Sequence, residues 1–511
     1  TRVYPNGSLA SHVLGFTNID GKGIEGVEFS KDDLLTGKAG YIETRTDERG
    51  RKLAYADANE VPPIDGQTVY LTIDRTIQYY TEQAIRDGYE FNEAKRVMAI
   101  VQDAKTGEIL AMATAPDYDP NKPRSFIDKG FEEAYTLAQT DQERMEALYA
   151  QWRNPIVSDL YEPGSTFKIF TGLVGLEENV VSRYDEFYCS GFLTVLNHKV
   201  RCWIFPRSHE RETFEEGFQD SCNVVFMKVI EKIKRDVFYR YLNTFGLLTK
   251  SSIELNSATP ISRPERQATA LDMANISFGH AISVTPLHVM NILQVVSNNG
   301  VLTEPSIISR VLSADGIHEE VPTRFVKGQL ISEGTAKEMR EILTTVITEG
   351  SGKRAYIPGY DIGGKTGTAI KNIAGGYEDE RRVYSSFAAI VPSDQPVFNV
   401  LVIVDEPKNE VFGSLVAAPI AKEIIYNTLE HLEIPSSSVT GQDIVVIPNF
   451  VGLSIKDALS LANERGLKLF DVDEEDGIVR TSATLITKQY PLEGSLSSRD
   501  NVVFLSKKKT Q

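Results

Sequence analysis

The run Thr166-Phe167-Lys168-Ile169-Phe170-Thr171-Gly172-Leu173-Val174 follows a Pro163-Gly164 turn and sets apolar residues at helical spacing. A helix this apolar is buried, so it starts at Ser165 and needs a core large enough to close around it. At about 150 residues per domain, the 511 residues suggest roughly three structural units. A composition of 41% hydrophobic and 24% charged residues excludes disorder and disulfide-dense miniproteins. With 54 basic against 71 acidic residues, the net charge of −17 repels nucleic-acid phosphates, which excludes nucleic acid as a partner. No apolar run reaches the roughly 18 residues of a membrane span. The chain begins at Thr1 rather than Met, and a removed upstream piece is expected.

Residues 1–72 carry Gly21, Gly23 and Gly26 among short alternating runs and predict an irregular β-rich unit, followed by a strand over Thr68–Ile73. A helical face of Ile77, Tyr80, Ala84 and Ile85 opens a larger domain, 73–433. Within it, Met98–Gln102 and Glu108–Ala113 predict a hairpin, Pro286–Val296 and Glu333–Ile347 helices, and Tyr384–Val391 and Phe398–Val404 buried strands. Pro435 to Ser438 and Gly441 give 434–444 the composition of a linker. In 445–508, Ser454 and Asp457 cap a helix that Gly466 ends. Strands at Leu467–Val472, Thr484–Gln489 and Asn501–Ser506 complete a small β-α-β-β module. Lys507, Lys508 and Lys509 read as a solvated end.

Ser165 and Lys168 stand three residues apart, so both side chains share a helix face and a neutral or proton-sharing Lys168 can serve as base to the Ser165 hydroxyl. The helix dipole favours the negative charge that develops when the serine attacks a carbonyl. Such a pair is cheap by itself: about two arise by chance in a chain this long, and Ser506 with Lys509 is one. Its ordered company is not cheap, for Ser221-Cys222-Asn223 and then Lys365-Thr366-Gly367-Thr368 follow it. Lys105-Thr106-Gly107 and Ser297-Asn298-Asn299 spell similar triplets, but one falls in the hairpin turn and the other at a helix end. Gly363-Gly364, ahead of Lys365, is expected to let a substrate lie along the strand backbone.

These three motifs in this order occur in penicillin-binding proteins and class A β-lactamases. With Arg2-Val3-Tyr4-Pro5, Thr106 to Ala113, Val284-Thr285-Pro286-Leu287 and Gly363 to Ala369, the chain resembles a class B penicillin-binding protein, and Ile447-Pro448 to Ser506 resembles a single PASTA module. The resemblance covers nearly all of the chain. It implies a multidomain α+β protein with the serine β-lactamase/penicillin-binding transpeptidase fold, an N-terminal β-rich pedestal or dimerisation-type domain at 1–72 and a small C-terminal PASTA domain. The implied activity is peptidoglycan D,D-transpeptidation, with Ser165 acylated, Lys168 as its base and Ser221 shuttling a proton to the leaving amine. Asn223 would hold the substrate amide and Lys365 set a positive potential. Thr366, Gly367 and Thr368 would bind the substrate, its carboxylate on the two hydroxyls, and the Ser165 and Thr368 backbone N–H groups would form the oxyanion hole.

The resemblance also implies that the chemistry needs no cofactor. Its partners would be stem peptides, β-lactam antibiotics and a membrane glycosyltransferase, and an anchor helix upstream of Thr1 would hold the chain on the extracytoplasmic face of the membrane. Elongation, division and sporulation stay open as roles. The alternatives are a non-catalytic glycan-binding scaffold and a serine β-lactamase or sensor. A class A β-lactamase needs a glutamate to activate the deacylating water, and Glu254 is the nearest candidate.

All three cysteines fall near the second motif. Cys189, Cys202 and Cys222 with His209 make the donor set of a tetrahedral structural zinc site, with His198 and Asp220 as alternative ligands. A disulfide, Cys202–Cys222 or Cys189–Cys202, and three buried thiols are the competing readings.

Overall fold

The computed structural model describes residues 2–43, 49, 59–371, 382–436, 444–474, 477–480, 484–498 and 502–507. Its central sheet has five antiparallel strands: β1 (Arg96–Asp103), β2 (Ile109–Ala115), β3 (Gly363–Ile370), β4 (Val383–Val391) and β5 (Phe398–Asp405), in the spatial order β3-β4-β5-β1-β2. Strand periodicity splits their side chains between two cores. Met98, Ile100, Leu401 and Ile403 enter one, whereas Val97, Ala99, Val101, Val400, Val402 and Val404 enter the other. Because both faces are covered, the strands read as apolar runs rather than alternating ones.

Helices α1 (Arg75–Asn92) and α6 (Gly413–His431) cover one face. Helices α2 (Lys168–Glu177), α3 (Asn223–Lys232), α4 (Pro286–Ser297) and α5 (Glu333–Thr348) build the core on the other. The apolar run at Ser165 enters its helix through a 3-10 turn, Gly164–Phe167, and α2 begins at Lys168. Lys105 to Gly107 form the β1–β2 turn, and Asn298 and Asn299 end α4, so neither false triplet reaches the cleft described below.

The N-terminal unit adds three short helices, Ser11–Leu14, Gly26–Ser30 and Asp32–Leu35, to a strand pair, Tyr41–Glu43 with Asn59–Val61. Its glycines bring backbones together as well as turning strands: a Cβ on Gly15 would lie 1.7 Å from Glu25 O. Thr68–Leu71 pairs with Ile308–Leu312, tying this unit to the larger domain.

At the C-terminal end, Ser454 Oγ accepts from Asp457 N at 3.2 Å to start the helix Ile455–Arg465, and Gly466 ends it with φ 68°. Two expected strands are present as Lys468–Asp471 and Val502–Ser506, the strand expected over Thr484–Gln489 is confined to Lys488–Tyr490, and Ile444–Val446 with Leu496–Ser498 adds a second small sheet. Val472, Tyr490 and Phe504 join the apolar cluster of α1 and α6, and Tyr490 Oη donates to Glu423 Oε2 at 2.9 Å. Lys507 is not a solvated end: its Nζ sits 2.8 Å from the buried Asp471 carboxylate and 3.0 Å from Glu474. Lys508 and Lys509, and linker residues 437–443, lie outside the described residues. No helix among the described residues is long and apolar enough to cross a membrane.

Gly172 of α2 faces the Phe218 ring, and a Cβ there would lie 2.5 Å from Phe218 Cζ. Phe214 and Phe226 pack edge-to-face with that ring, centroids 5.2 and 4.8 Å away, so it has no room to swing away. Alanine gains up to about 1 kcal/mol of helix propensity over glycine, but overpacking a closed core costs about 1–3 kcal/mol. Gly172→Ala is therefore expected to lower the melting temperature, measured by calorimetry.

Candidate active site

Ser165 lies on the 3-10 turn, beside β3, the edge strand of the sheet. That approach requires glycine. A Cβ on Gly164 would lie 2.9 Å from Ala369 Cβ, and Gly164 N donates to Gly279 O at 3.1 Å. Gly279, at φ 84°, could carry a Cβ only 2.1 Å from Gly164 O. Ser165, Ser221, Asn223, Thr366, Gly367 and Thr368 line one cleft, so the structure brings the three motifs together.

Two lysines with no exposed surface, Lys168 and Lys365, converge on Ser221. Lys365 Nζ donates to Ser221 Oγ at 2.8 Å. Lys168 Nζ donates to the same oxygen at 3.2 Å, to Ser221 O at 2.5 Å and to Asn223 Oδ1 at 2.7 Å. Ser221 holds φ 55°, a left-handed conformation unusual for serine and of the kind kept at functional sites. Burial lowers the Lys168 pKa to about 8. Burial, then the charge of Lys168, pushes Lys365 well down. Two like charges in one dry site do not both ionise freely, so the pair supplies a neutral amine near neutral pH.

The expected contact from Lys168 to Ser165 is not formed. Among the described residues the Ser165 hydroxyl has no hydrogen-bond partner, because Lys168 is drawn to the Ser221 carbonyl and the Asn223 amide. Catalytic hydrogen bonds are often loose before substrate arrives. The Asn223 amide is engaged as well, with Nδ2 donating to Arg201 O at 3.4 Å.

Gly363 and Gly364 do not clear a path for substrate: a Cβ on Gly363 would lie 3.3 Å from Leu343 Cβ, and one on Gly364 would lie 2.9 Å from both Ile347 Cδ1 and the Phe387 ring. They let α5 and β4 pack against β3. The strand's outward donors lie further along. Thr366 Oγ1 sits 3.1 Å from Ser351 Oγ, and Thr368 Oγ1 accepts from Gly413 N at 3.1 Å.

The cleft also contains Trp203, Phe412, His280 and Ser351, which no sequence motif marked. Trp203 is the exception in principle, since it adjoins Cys202. Burial lowers the His280 pKa to about 4, so that imidazole is neutral. Glu254 is absent from the cleft. Its carboxylate accepts from Ser306 Oγ at 2.8 Å and Ile307 N at 2.9 Å, which leaves it holding a turn rather than a water.

Next to the second motif, the ligand atoms of Cys189, Cys202, His209 and Cys222 all lie within 4.8 Å of one another. Neither His198 nor Asp220 joins them. No disulfide forms: the three thiols are free, with Cys202 Sγ 4.0 Å from Cys222 Sγ. His209 Nδ1 is 3.7 Å from Cys202 Sγ, and Gly191 N and Asn223 N donate to the Cys189 and Cys202 sulfurs at 3.4 and 3.3 Å. Burial disfavours charge on His209, but the Cys189 and Cys202 sulfurs raise its pKa to about 10. Hydrogen bonds from Cys189 and Cys222 lower that of Cys202. Glu212, unmarked by any motif, is buried beside them with neither carboxylate oxygen hydrogen-bonded among the described residues.

Family models agree with this architecture. The penicillin binding protein transpeptidase domain matches residues 97–426, the penicillin-binding protein dimerisation domain 1–71 and the PASTA domain 445–507. Stage V sporulation protein D of Bacillus subtilis strain 168 is 34% identical over 474 residues, which cover 90% of this chain and 70% of that protein. A Mesostigma viride protein named peptidoglycan D,D-transpeptidase FtsI homolog is 28% identical over 469 residues, 86% of this chain and 74% of its own. The crystal structure of penicillin binding protein 3 from Mycobacterium tuberculosis complexed with aztreonam superposes with a TM-score of 0.73 at 27% identity, covering 86% of this chain and 92% of that one.

Burial brings the Lys168 pKa down to about 8, so its neutral, proton-accepting fraction grows as pH rises through that value. Acylation by a labelled β-lactam, followed by stopped-flow fluorescence, should rise with pH along a limb centred near that value and then level off.

Proposed function

This chain belongs to the penicillin-binding protein transpeptidase family, and we propose that Ser165 carries the acyl group in its peptidoglycan D,D-transpeptidase reaction. The observation that carries the assignment is the pair of buried lysines meeting at Ser221 Oγ beside Ser165 and an edge strand. In the first half-reaction neutral Lys168 takes the Ser165 proton, and Oγ attacks the penultimate D-Ala carbonyl of a donor stem peptide. The backbone N–H groups of Ser165 and Thr368 receive the oxyanion. Ser221, hydrogen-bonded to both lysines, relays a proton to the departing D-Ala amine. The donor's terminal carboxylate rests on the Thr366 and Thr368 hydroxyls and draws the lysines' shared proton to Lys365, with Gly367 between the two threonines, and Asn223 Nδ2 turns to the peptide amide. An acceptor amine then releases Ser165 and completes the cross-link.

A β-lactam imitates the donor and should stay attached, since Glu254 is already committed to Ser306 and Ile307. A scaffold with no chemistry would have no use for two buried, mutually repelling lysines, which cost stability. The substrate places the enzyme on the outer side of the cytoplasmic membrane, where a membrane glycosyltransferase would supply the glycan strands. With its Tyr490 face packed on α1 and α6, the PASTA module acts as a packing domain. Intact-mass analysis after penicillin treatment should show one adduct on the wild type and none on Ser165→Ala. An adduct that survives the substitution would remove Ser165 as nucleophile.

A second observation favours structural zinc. A tetrahedral ion with Zn–S of about 2.3 Å and Zn–N of about 2.0 Å sets S···S near 3.8 Å and S···N near 3.5 Å. The 4.0 and 3.7 Å separations here come close to those edges. The buried Glu212 carboxylate, with no hydrogen bond among the described residues and Oε1 3.9 Å from His209 Nδ1, also fits a cationic cluster. Cys189, Cys202, Cys222 and His209 Nδ1 would hold the ion, whose part is to fix the chain around Ser221 and not to react. Elemental analysis should find about one zinc per chain, lost in Cys202→Ser together with a lower melting temperature. Metal-free wild type with an unchanged melting curve would end this reading.

A further inference from the structure

Whatever amine resolves the acyl-enzyme reaches the protein as an ammonium ion, and it must approach a cleft whose Ser221 is hydrogen-bonded from behind by two buried lysines. Something must offset that field. Asp220 is the only carboxylate among the described residues that line the cleft. It is exposed, directly precedes Ser221, and is the C-terminal cap of the short helix Phe214–Gln219. No described residue hydrogen-bonds or ion-pairs with its carboxylate, although its charge acts on Lys365, which places it near the reacting end. Its own carbonyl accepts from Trp203 Nε1 at 2.9 Å, so the half-exposed indole stands on the same wall. An indole face attracts cations. Phe412 closes the other side, 6.3 Å from that ring, and neutral His280 adds no repulsion.

We propose that Asp220, with the face of Trp203, is the docking site for the cationic amine acceptor of the second half-reaction. The proposal rests on the transpeptidase reading above. The docked ammonium loses one proton to water, and its nitrogen lone pair attacks the acyl carbonyl. The new C–N bond forms as the bond to Ser165 Oγ breaks, and the second proton passes from nitrogen to that oxygen. The products are an amide, a free serine and one released proton. Asp220 is thus an acceptor-binding residue and the donor half-reaction does not use it.

The test uses the full chain with an N-acyl-D-alanyl thioester donor and two acceptors: glycinamide, a simple cation, and D-alanine, whose carboxylate Asp220 repels. In Asp220→Asn, aminolysis by glycinamide should fall about fivefold relative to hydrolysis, the size of one part-exposed ion pair. Aminolysis by D-alanine should hold or rise, labelled-penicillin acylation should stay within about twofold of wild type, and Asp220→Glu should restore glycinamide use. Unchanged preference between the two amines in Asp220→Asn would overturn the proposal. So would a parallel fall in acylation, which would mean that Asp220 acts through Lys365. Failure of the wild type to take any label would instead overturn the transpeptidase reading, and the proposal with it.

Discussion

The site is organised around one hydroxyl. Ser221 Oγ receives hydrogen bonds from the Nζ atoms of two lysines that have no exposed surface, and charging both so close together would be among the costlier arrangements a core can hold. The cost falls if the protons are shared, and shared protons are what make a base available near neutral pH. Each neighbour serves that arrangement. Helix α2 drives Lys168 into the core, edge strand β3 brings Lys365 from the other side, and the left-handed turn at Ser221 points the hydroxyl between them.

The strained turn needs support, and the cysteine and histidine cluster lies where it is needed. Cys222 stands between Ser221 and Asn223, and Asn223 N donates to the Cys202 sulfur. The same segment carries Trp203 to the mouth of the cleft and ties it to the Asp220 carbonyl. Reactive floor and recognition wall therefore share one stretch of chain. A shift of the cluster would move both.

Periodicity made the large elements legible. The apolar runs of β4 and β5, the helix after Pro163-Gly164 and the hairpin around Lys105 all appear, because each depends on residues a few positions apart. The short N-terminal helices are not legible in a stretch that reads as β-rich, because none is longer than five residues and their glycines resemble turn residues. Lys507 reads as solvated in sequence because its partner Asp471 comes from a strand that only the folded module places beside it.

The sequence alone determined which residues could do chemistry here: the serine and lysine one turn apart, the ordered second and third motifs, and the ligand set of three cysteines and a histidine. Tertiary structure decided how they are used. Lys365 and Ser221 are 144 residues apart, and no local pattern encodes a 2.8 Å contact between them. It turned Lys168 toward Ser221, set Gly363 and Gly364 against helix and strand rather than substrate, closed four ligand atoms to within 4.8 Å, and left Asp220 as the cleft's lone described carboxylate. Periodicity follows from bond geometry along the chain, whereas a site follows from which distant surfaces are buried against each other.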